Sequence, residues 1–134
     1  MLKITEMDEL YEFYRRGSEL LAEGHHHQAT IPLKRARDLS PESASIREAL
    51  GRALFHTQRY EEAAAEFRAV TEKSPTNDYA LFCLGRCLQL LGRHAEARIP
   101  LTMASTLRPK RSDYQLYRER AAAASRATKG AEAE

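Results

Sequence analysis

Large apolar, small and proline positions recur along this chain at a fixed interval of 34 residues. Five positions keep the interval in three copies without an insertion, a regularity that chance does not produce. A fixed period of this size predicts a stack of similar structural units. The repeating residues are Gly17, Gly51 and Gly85; Leu20, Leu54 and Leu88; Ala29, Ala63 and Ala97; Leu33, Phe67 and Leu101; Pro41, Pro75 and Pro109.

Glycine and proline interruptions divide each unit into two antiparallel helices, A and B. Thr5 is expected to cap the first helix, and Gly24 and Gly92 to end helices A of the first and third units. Glycine lets helices A and B approach closely, and the large apolar residues fill the space between neighbouring pairs. The core is therefore predicted to include Leu54, Phe67, Leu84, Leu88 and Leu101.

The fold class that follows is all-α, with about seven helices in a single domain. Ser112 is expected to cap a last helix that covers the end of the stack, with Gly130 as its terminator. The predicted ranges are about 8–43, 44–77 and 78–111 for the three units, about 112–128 for the cap helix, and 129–134 for a disordered tail.

The blocks inside each unit resemble the tetratricopeptide repeat (TPR) family, whose unit reads W-x2-L-G-x2-Y, then A-x3-F, then P. The resemblance covers roughly residues 8 to 111 and implies a right-handed solenoid of antiparallel helix pairs. Arg16 and Arg47 depart from it, since the family usually has apolar residues there; both are expected at the rim or with snorkelling side chains. The blocks are Phe13-x2-Arg16-Gly17-x2-Leu20, Arg47-x2-Leu50-Gly51-x2-Leu54 and Leu81-x2-Leu84-Gly85-x2-Leu88.

In this family, residues of the A helices line the concave face, and the resemblance places three arginines there. Arg52, Arg86 and Arg120 share one position of the repeat and form a predicted arginine ladder. Because arginine suits carboxylate and phosphate groups, the ladder indicates a groove for a peptide or helix with acidic groups. The other reading is that these arginines are solvated and pair with helix-A acids such as Glu48 or Glu119. The remaining predicted binding residues are Tyr14, Glu48, Phe55, Tyr79, Phe82 and Leu116.

A protein-interaction module or adaptor is the function that this pattern favours. Three alternatives stay open: a dedicated chaperone of an exported or aggregation-prone client, RNA binding, and self-association through a terminal helix. The two-carboxylate clamp of chaperone-tail adaptors in the family needs asparagines and lysines that are missing here. That mode of binding is therefore disfavoured.

Charge and composition narrow the partner class. The chain has 21 Lys and Arg against 19 Asp and Glu, and its net charge of +2 is too small to argue for nucleic acid or a membrane. Residues 78–111 have a net charge of +4 and residues 1–43 a net charge of −2, so the C-terminal half of the stack is its basic end. The start of the chain has no signal-peptide pattern, and a cytoplasmic location is expected.

No cofactor, metal site or enzymatic activity is expected from the sequence. His25, His26 and His27 form a turn into a helix, where consecutive side chains point in different directions and do not converge on a metal. Cys83 and Cys87 are expected to be reduced, buried thiols. Nothing resembles a nucleophile–base set, a phosphate loop or a pair of catalytic carboxylates.

Pro32 and Pro100 lie outside the repeat signature and match each other in phase. If they stand inside helices B of the first and third units, each removes a hydrogen bond, and kinks are predicted near Gln28 and Glu96. The alternative is that these helices begin later, at about Ile31 and Ile99, with the proline in the first turn.

Overall fold

A computed structural model describes residues 1–133 of the chain, and this part is all-α, with seven helices and no strand. The helices are α1 Ile4–Ala22, α2 His26–Leu39, α3 Ala44–His56, α4 Tyr60–Lys73, α5 Asp78–Leu90, α6 His94–Leu107 and α7 Ser112–Ala133. Within residues 1–133, no helix is long and apolar enough to cross a membrane.

The chain divides into two compact units, one of residues Met1–Ala69 and one that begins at Val70. In the N-terminal unit, α1 packs on α2, α2 on α3, and α1 on α3. In the C-terminal unit, α5 packs on α6, α6 on α7, and α5 on α7. The single domain stays a prediction.

Each repeated glycine lies against the large apolar residue sixteen positions later. A β-carbon on Gly17 would stand 2.5 Å from Leu33 Cγ, and one on Gly51 would stand 2.7 Å from Phe67 Cζ. Gly85 and Leu101 make the same contact in the C-terminal unit. Only hydrogen fits at these positions, because real β-carbons do not approach other heavy atoms below 3.0 Å. The predicted close approach of the paired helices is confirmed.

The predicted core is also confirmed. Leu101 is fully buried, and Phe67, Leu54 and Leu88 are 2% exposed or less. Leu84 is 7% exposed and is still classed with the buried residues. The last helix adds Tyr114, which packs with Leu81 and Ala104.

The turns after α1, α3 and α5 are closed in the same way, although their residues differ. Gly24, Gln58 and Gly92 have positive φ angles of 82°, 63° and 78°. The next residue in each turn donates its N–H to the carbonyl five positions back, as in Arg59 to Leu54 at 2.9 Å. This pair of features is the Schellman ending of a helix, which glycine forms without strain and glutamine does not.

Glu66 takes the position in the second repeat that Pro32 and Pro100 occupy in the first and third repeats, and it is 4% exposed. Its carboxylate pairs with Arg37 at 2.5 Å and with Arg47 at 2.8 Å. Arg47 also donates to the carbonyl of Pro41 at 2.6 Å. The departure of Arg47 from the family pattern is therefore matched by a buried partner for its charge.

Three sequence-based predictions are corrected by the structure. The first helix begins at Ile4 with Lys3 as its N-cap, so Thr5 is not the cap. Helix α7 continues through Gly130 to Ala133, so the predicted end at Gly130 is wrong, and residues 129–133 are helical; Glu134 lies outside the described residues. Pro32 and Pro100 stand inside α2 and α6, which begin at His26 and His94, so the later start is wrong. The kinks stay a prediction.

We expect Gly51→Ala to destabilise the protein by about 1–3 kcal/mol, because the new methyl group must displace the buried Phe67 ring. Gly130→Ala is the control, since nothing lies within 4 Å of a β-carbon there, and alanine favours helix by about 1 kcal/mol. Urea unfolding followed by circular dichroism measures both. Equal stability of Gly51→Ala and the wild type would contradict the close-contact argument.

We expect Gln58→Gly to stabilise the protein by about 1 kcal/mol, because glycine removes the strain of a left-handed backbone at φ 63°. The matched variant is Gly24→Ala, which puts a side chain at the equivalent turn and should cost about the same amount. Thermal unfolding compares the two. A fall in stability for Gln58→Gly would mean that its side chain stabilises the turn by more than the backbone strain costs.

Candidate functional site

Two predicted arginines come together in the C-terminal unit, around an aromatic ring that was not among the predicted site residues. Arg86 on α5 lies over the ring of Tyr117 on α7, with Cζ 3.9 Å from the ring centroid. Arg120, one turn after Tyr117, lies 5.3 Å from the same centroid. We call Phe82, Arg86, Tyr117 and Arg120 the arginine–tyrosine cluster.

The cluster is held by contacts between α5 and α7. Gln89 links the two helices, because its Nε2 donates to the carbonyl of Tyr117 at 2.9 Å while its Oε1 accepts from Arg86 at 3.0 Å. Phe82 meets the Tyr117 ring edge-on at 5.7 Å and stacks on Tyr114 at 4.6 Å. The Arg86 guanidinium is therefore positioned by one neutral hydrogen-bond partner and one aromatic face.

Tyr114 anchors this arrangement to the core. It is 1% exposed, and its hydroxyl donates to Asp78 Oδ2 at 2.8 Å, at the first residue of α5. Burial, the hydrogen bond to Asp78 and the charge of Asp78 raise the pKa of Tyr114 to about 12. The neutral phenol thus fixes the start of α5 against α7, and Arg108 Nε lies 3.4 Å from the other oxygen of Asp78.

The other predicted site residues divide between the two units. Arg86 and Phe82 are half-buried, and Arg120, Tyr79 and Leu116 are exposed, in the C-terminal unit. Arg52 is exposed in the N-terminal unit, where Phe55 contacts His56 and Tyr60. Tyr14 and Glu48 are half-buried in the same unit. One continuous ladder of three arginines stays a prediction.

Two partners of Arg86, Tyr117 and Gln89, were not among the predicted site residues. One signal was available for Tyr117, since it precedes Arg120 by three residues and so shares a helix face with it. No signal marked Gln89, because its contact to a backbone carbonyl of α7 depends on how the two helices pack.

The remaining candidate chemistry is limited. Cys83 and Cys87 are both reduced thiols, and burial raises the pKa of Cys87 to about 12, so that it stays a thiol at neutral pH. Cys87 is fully buried as predicted, whereas Cys83 is only half-buried. Among the described residues, no three His, Cys, Asp or Glu side chains converge as metal ligands do.

Comparisons with known proteins agree with this architecture. Two family models, both described as Tetratricopeptide repeat, match residues 14–78 and 58–121. Superkiller complex protein 3 of Mus musculus is 32% identical over 87 residues, or 65% of this chain. The human protein of that name is 31% identical over the same length, and the chain spans 6% of the length of both relatives.

Solved structures share the fold. The first TPR of Spaghetti (RPAP3), bound to the HSP90 peptide SRMEEVD, has a TM-score of 0.80 at 14% identity, covering 87% of this chain and 93% of that one. The structure described as MamA MSR-1 C2 has a TM-score of 0.73 at 27% identity, covering 78% and 60%.

We expect Tyr114→Phe to cost about 1–2 kcal/mol at neutral pH, because the carboxylate of Asp78 loses a donor. The sign of the pH dependence follows from the raised pKa of Tyr114. Its stabilisation is complete below pH 10, the usual tyrosine pKa, and is lost as the pH rises towards about 12. The free energy of unfolding should therefore fall more steeply above pH 10 in the wild type than in the variant, and parallel curves would contradict this assignment.

Proposed function

Because the chain belongs to the tetratricopeptide repeat family, we propose that it is a protein-interaction module that binds a peptide or helix carrying acidic groups. The observation that carries the proposal is the arginine–tyrosine cluster. Arg86 and Arg120 approach one ring, and within residues 1–133 no carboxylate forms an ion pair with either of them. Two cations are thus available to a ligand in one place.

The geometry of Arg86 suits carboxylate recognition. Its guanidinium is held against Tyr117, and Gln89 accepts one of its N–H groups, which leaves other donors for a ligand. A planar guanidinium held in this way loses less side-chain entropy on binding than a free one. The charge of +4 over residues 78–111 adds a longer-range attraction for acidic partners.

We propose a wider binding surface within each unit, made of the predicted A-helix residues of that unit. Arg86, Arg120, Phe82, Tyr79 and Leu116 contribute from the C-terminal unit. Arg52, Tyr14, Glu48 and Phe55 contribute from the N-terminal unit. Aromatic residues and arginine are the types that dominate binding energy at protein interfaces. Binding, rather than catalysis, is the activity proposed for this surface.

Two structural relatives support the class of ligand. The first TPR of Spaghetti (RPAP3) is bound to the HSP90 peptide SRMEEVD, and the second TPR domain of human RPAP3 is bound to the HSP70 peptide SGPTIEEVD. Both peptides end in the acidic sequence EEVD. Since the asparagines and lysines of the family's clamp are missing here, we propose arginine-mediated recognition of acidic groups rather than the clamp itself.

A dedicated chaperone of a client protein is the second candidate, and the exposed apolar residues favour it. Tyr79 and Leu116 are 38% and 42% exposed, which suits an apolar client segment better than an acidic one. The two candidates differ in the composition of the peptides that the protein selects.

An array of random peptides, probed with the purified chain, tests the proposal. We expect the bound peptides to be enriched in Asp and Glu, and binding to fall at least about tenfold in Arg86→Glu/Arg120→Glu. Arg98→Glu/Arg126→Glu is the control, because it changes the net charge equally at two exposed arginines outside the cluster. Arg86→Lys tests whether the planar group matters beyond its charge.

Two outcomes would contradict the acidic-ligand proposal. One is a bound set enriched in apolar residues without acidic ones, which favours the client chaperone. The other is an equal loss of binding in the cluster and control variants, which would show that net charge alone attracts the peptides.

A further inference from the structure

A small basic pocket lies in the N-terminal unit, apart from the arginine–tyrosine cluster. Its volume is about 320 Å³, and helices α1, α2 and α3 all contribute to it. Among the described residues, no carboxylate lines it. The lining residues are Ser18, Leu21 and Ala22 from α1, His26 from α2, and Arg52 and His56 from α3.

The two histidines of the pocket stack on each other. Their ring centroids are 4.2 Å apart with an angle of 17° between the planes. Nδ1 of His26 is buried and has no hydrogen-bond partner among the described residues. Burial, the neighbouring His26 and the charge of Arg52 together lower the pKa of His56. The pocket therefore holds positive charge, and further protonation is opposed unless an anion compensates it.

Two acidic groups at the end of α1 have partners outside the pocket. On α1, Glu19 pairs with Arg15 at 2.7 Å. Just after α1, Glu23 lies 3.7 Å from His25. From α4, Tyr60 contacts Phe55, which in turn meets His56 edge-on. None of these acidic groups lines the pocket, so the charge of Arg52 meets no carboxylate there.

We propose that this pocket binds a tetrahedral oxyanion, a phosphoryl or sulfate group, through Ser18, Arg52 and the two histidines. Arg52 supplies a fork of donors, the hydroxyl of Ser18 adds one, and the imidazole of His56 gains a second N–H when it takes up a proton. Binding is therefore coupled to proton uptake and strengthens as the pH falls. Arg52 also belongs to the peptide-binding surface proposed for the N-terminal unit, whereas the pocket shares no residue with the arginine–tyrosine cluster.

His94 provides an internal comparison. It occupies the same repeat position as His26, at the start of α6, and its Nδ1 is likewise buried without a partner among the described residues. Its pocket, however, contains the carboxylates of Glu96 and Glu132 beside Arg93 and Lys129. Both pockets contain a histidine nitrogen without a partner. The described residues that line the pocket of His26 include no carboxylate, whereas those that line the pocket of His94 include two.

Sulfate is a suitable probe, because its charge stays constant between about pH 6 and 8, where histidine titrates. We expect sulfate to shift the imidazole NMR signals of His26 and His56 saturably in the full chain, with affinity at least about fivefold higher at pH 6 than at pH 8. The signals of His94 should stay in place. Arg52→Gln should weaken binding about tenfold, and Arg98→Gln should have no effect.

Two further ligands distinguish a free anion from one carried by a partner. They are inorganic phosphate and a short peptide with one phosphoserine, and the unphosphorylated peptide is the control. Tighter binding of the phosphopeptide identifies a partner-borne group, and equal binding identifies a free anion. Equal, unsaturable shifts of His56 and His94, or an Arg52→Gln variant that keeps its fold and full sulfate affinity, would overturn the site. Ser18→Ala gives an independent check, and the Arg86→Glu/Arg120→Glu variant should bind sulfate like the wild type.

Discussion

The contact between a bare glycine backbone and a large apolar side chain is the constraint on which the helix pairs depend. It occurs between Gly17 and Leu33, between Gly51 and Phe67, and between Gly85 and Leu101. Because each contact joins residues sixteen positions apart, the two helices of a pair must be short and joined by a tight turn. The Schellman endings supply that turn, and the same glycine-sized gap fixes which face of each helix points inward. A 34-residue period in the sequence is thus the record of one packing solution used three times.

The second 34-residue repeat shows how far the surrounding positions can change while the glycine contact is kept. Gln58 replaces a glycine at a positive φ angle, and Glu66 replaces a proline inside a helix. The first change leaves local strain at an exposed turn. The second puts a carboxylate in a buried position, which requires compensation, and Arg37 and Arg47 provide it from α2 and α3. Removing one partner of such a triad destabilises the protein, because it leaves a buried charge without compensation. Substitutions at Glu66, Arg37 and Arg47 are therefore expected to be non-additive, and the prolines at the equivalent position of the other repeats carry no such charge.

Periodicity made the helices, the core and the paired glycines predictable, because each of them depends on residues at fixed spacings. The end of α7 was not predictable in this way. Alanines at 121–124 favour helix, and Gly130 meets no other atoms that would force a turn, so the helix continues past it. The candidate site was predicted only in part. Repeat phase selected Arg86 and Arg120, whereas Tyr117 and Gln89 acquire their roles from the packing of α5 on α7, which no spacing within one repeat encodes.

The net charge of the chain does not reveal the difference between the surroundings of Arg86 and those of Arg52. The chain as a whole carries only +2, yet the environments of its arginines differ in kind. Arg86 rests on an aromatic ring beside a neutral amide, and these two contacts hold its guanidinium in one orientation. Arg52 stands beside two stacked histidines, and burial, His26 and Arg52 together lower the pKa of His56. The repeat therefore places arginine at one position of the helix, and the side chains packed around it decide whether that arginine lies on an aromatic ring or beside two histidines.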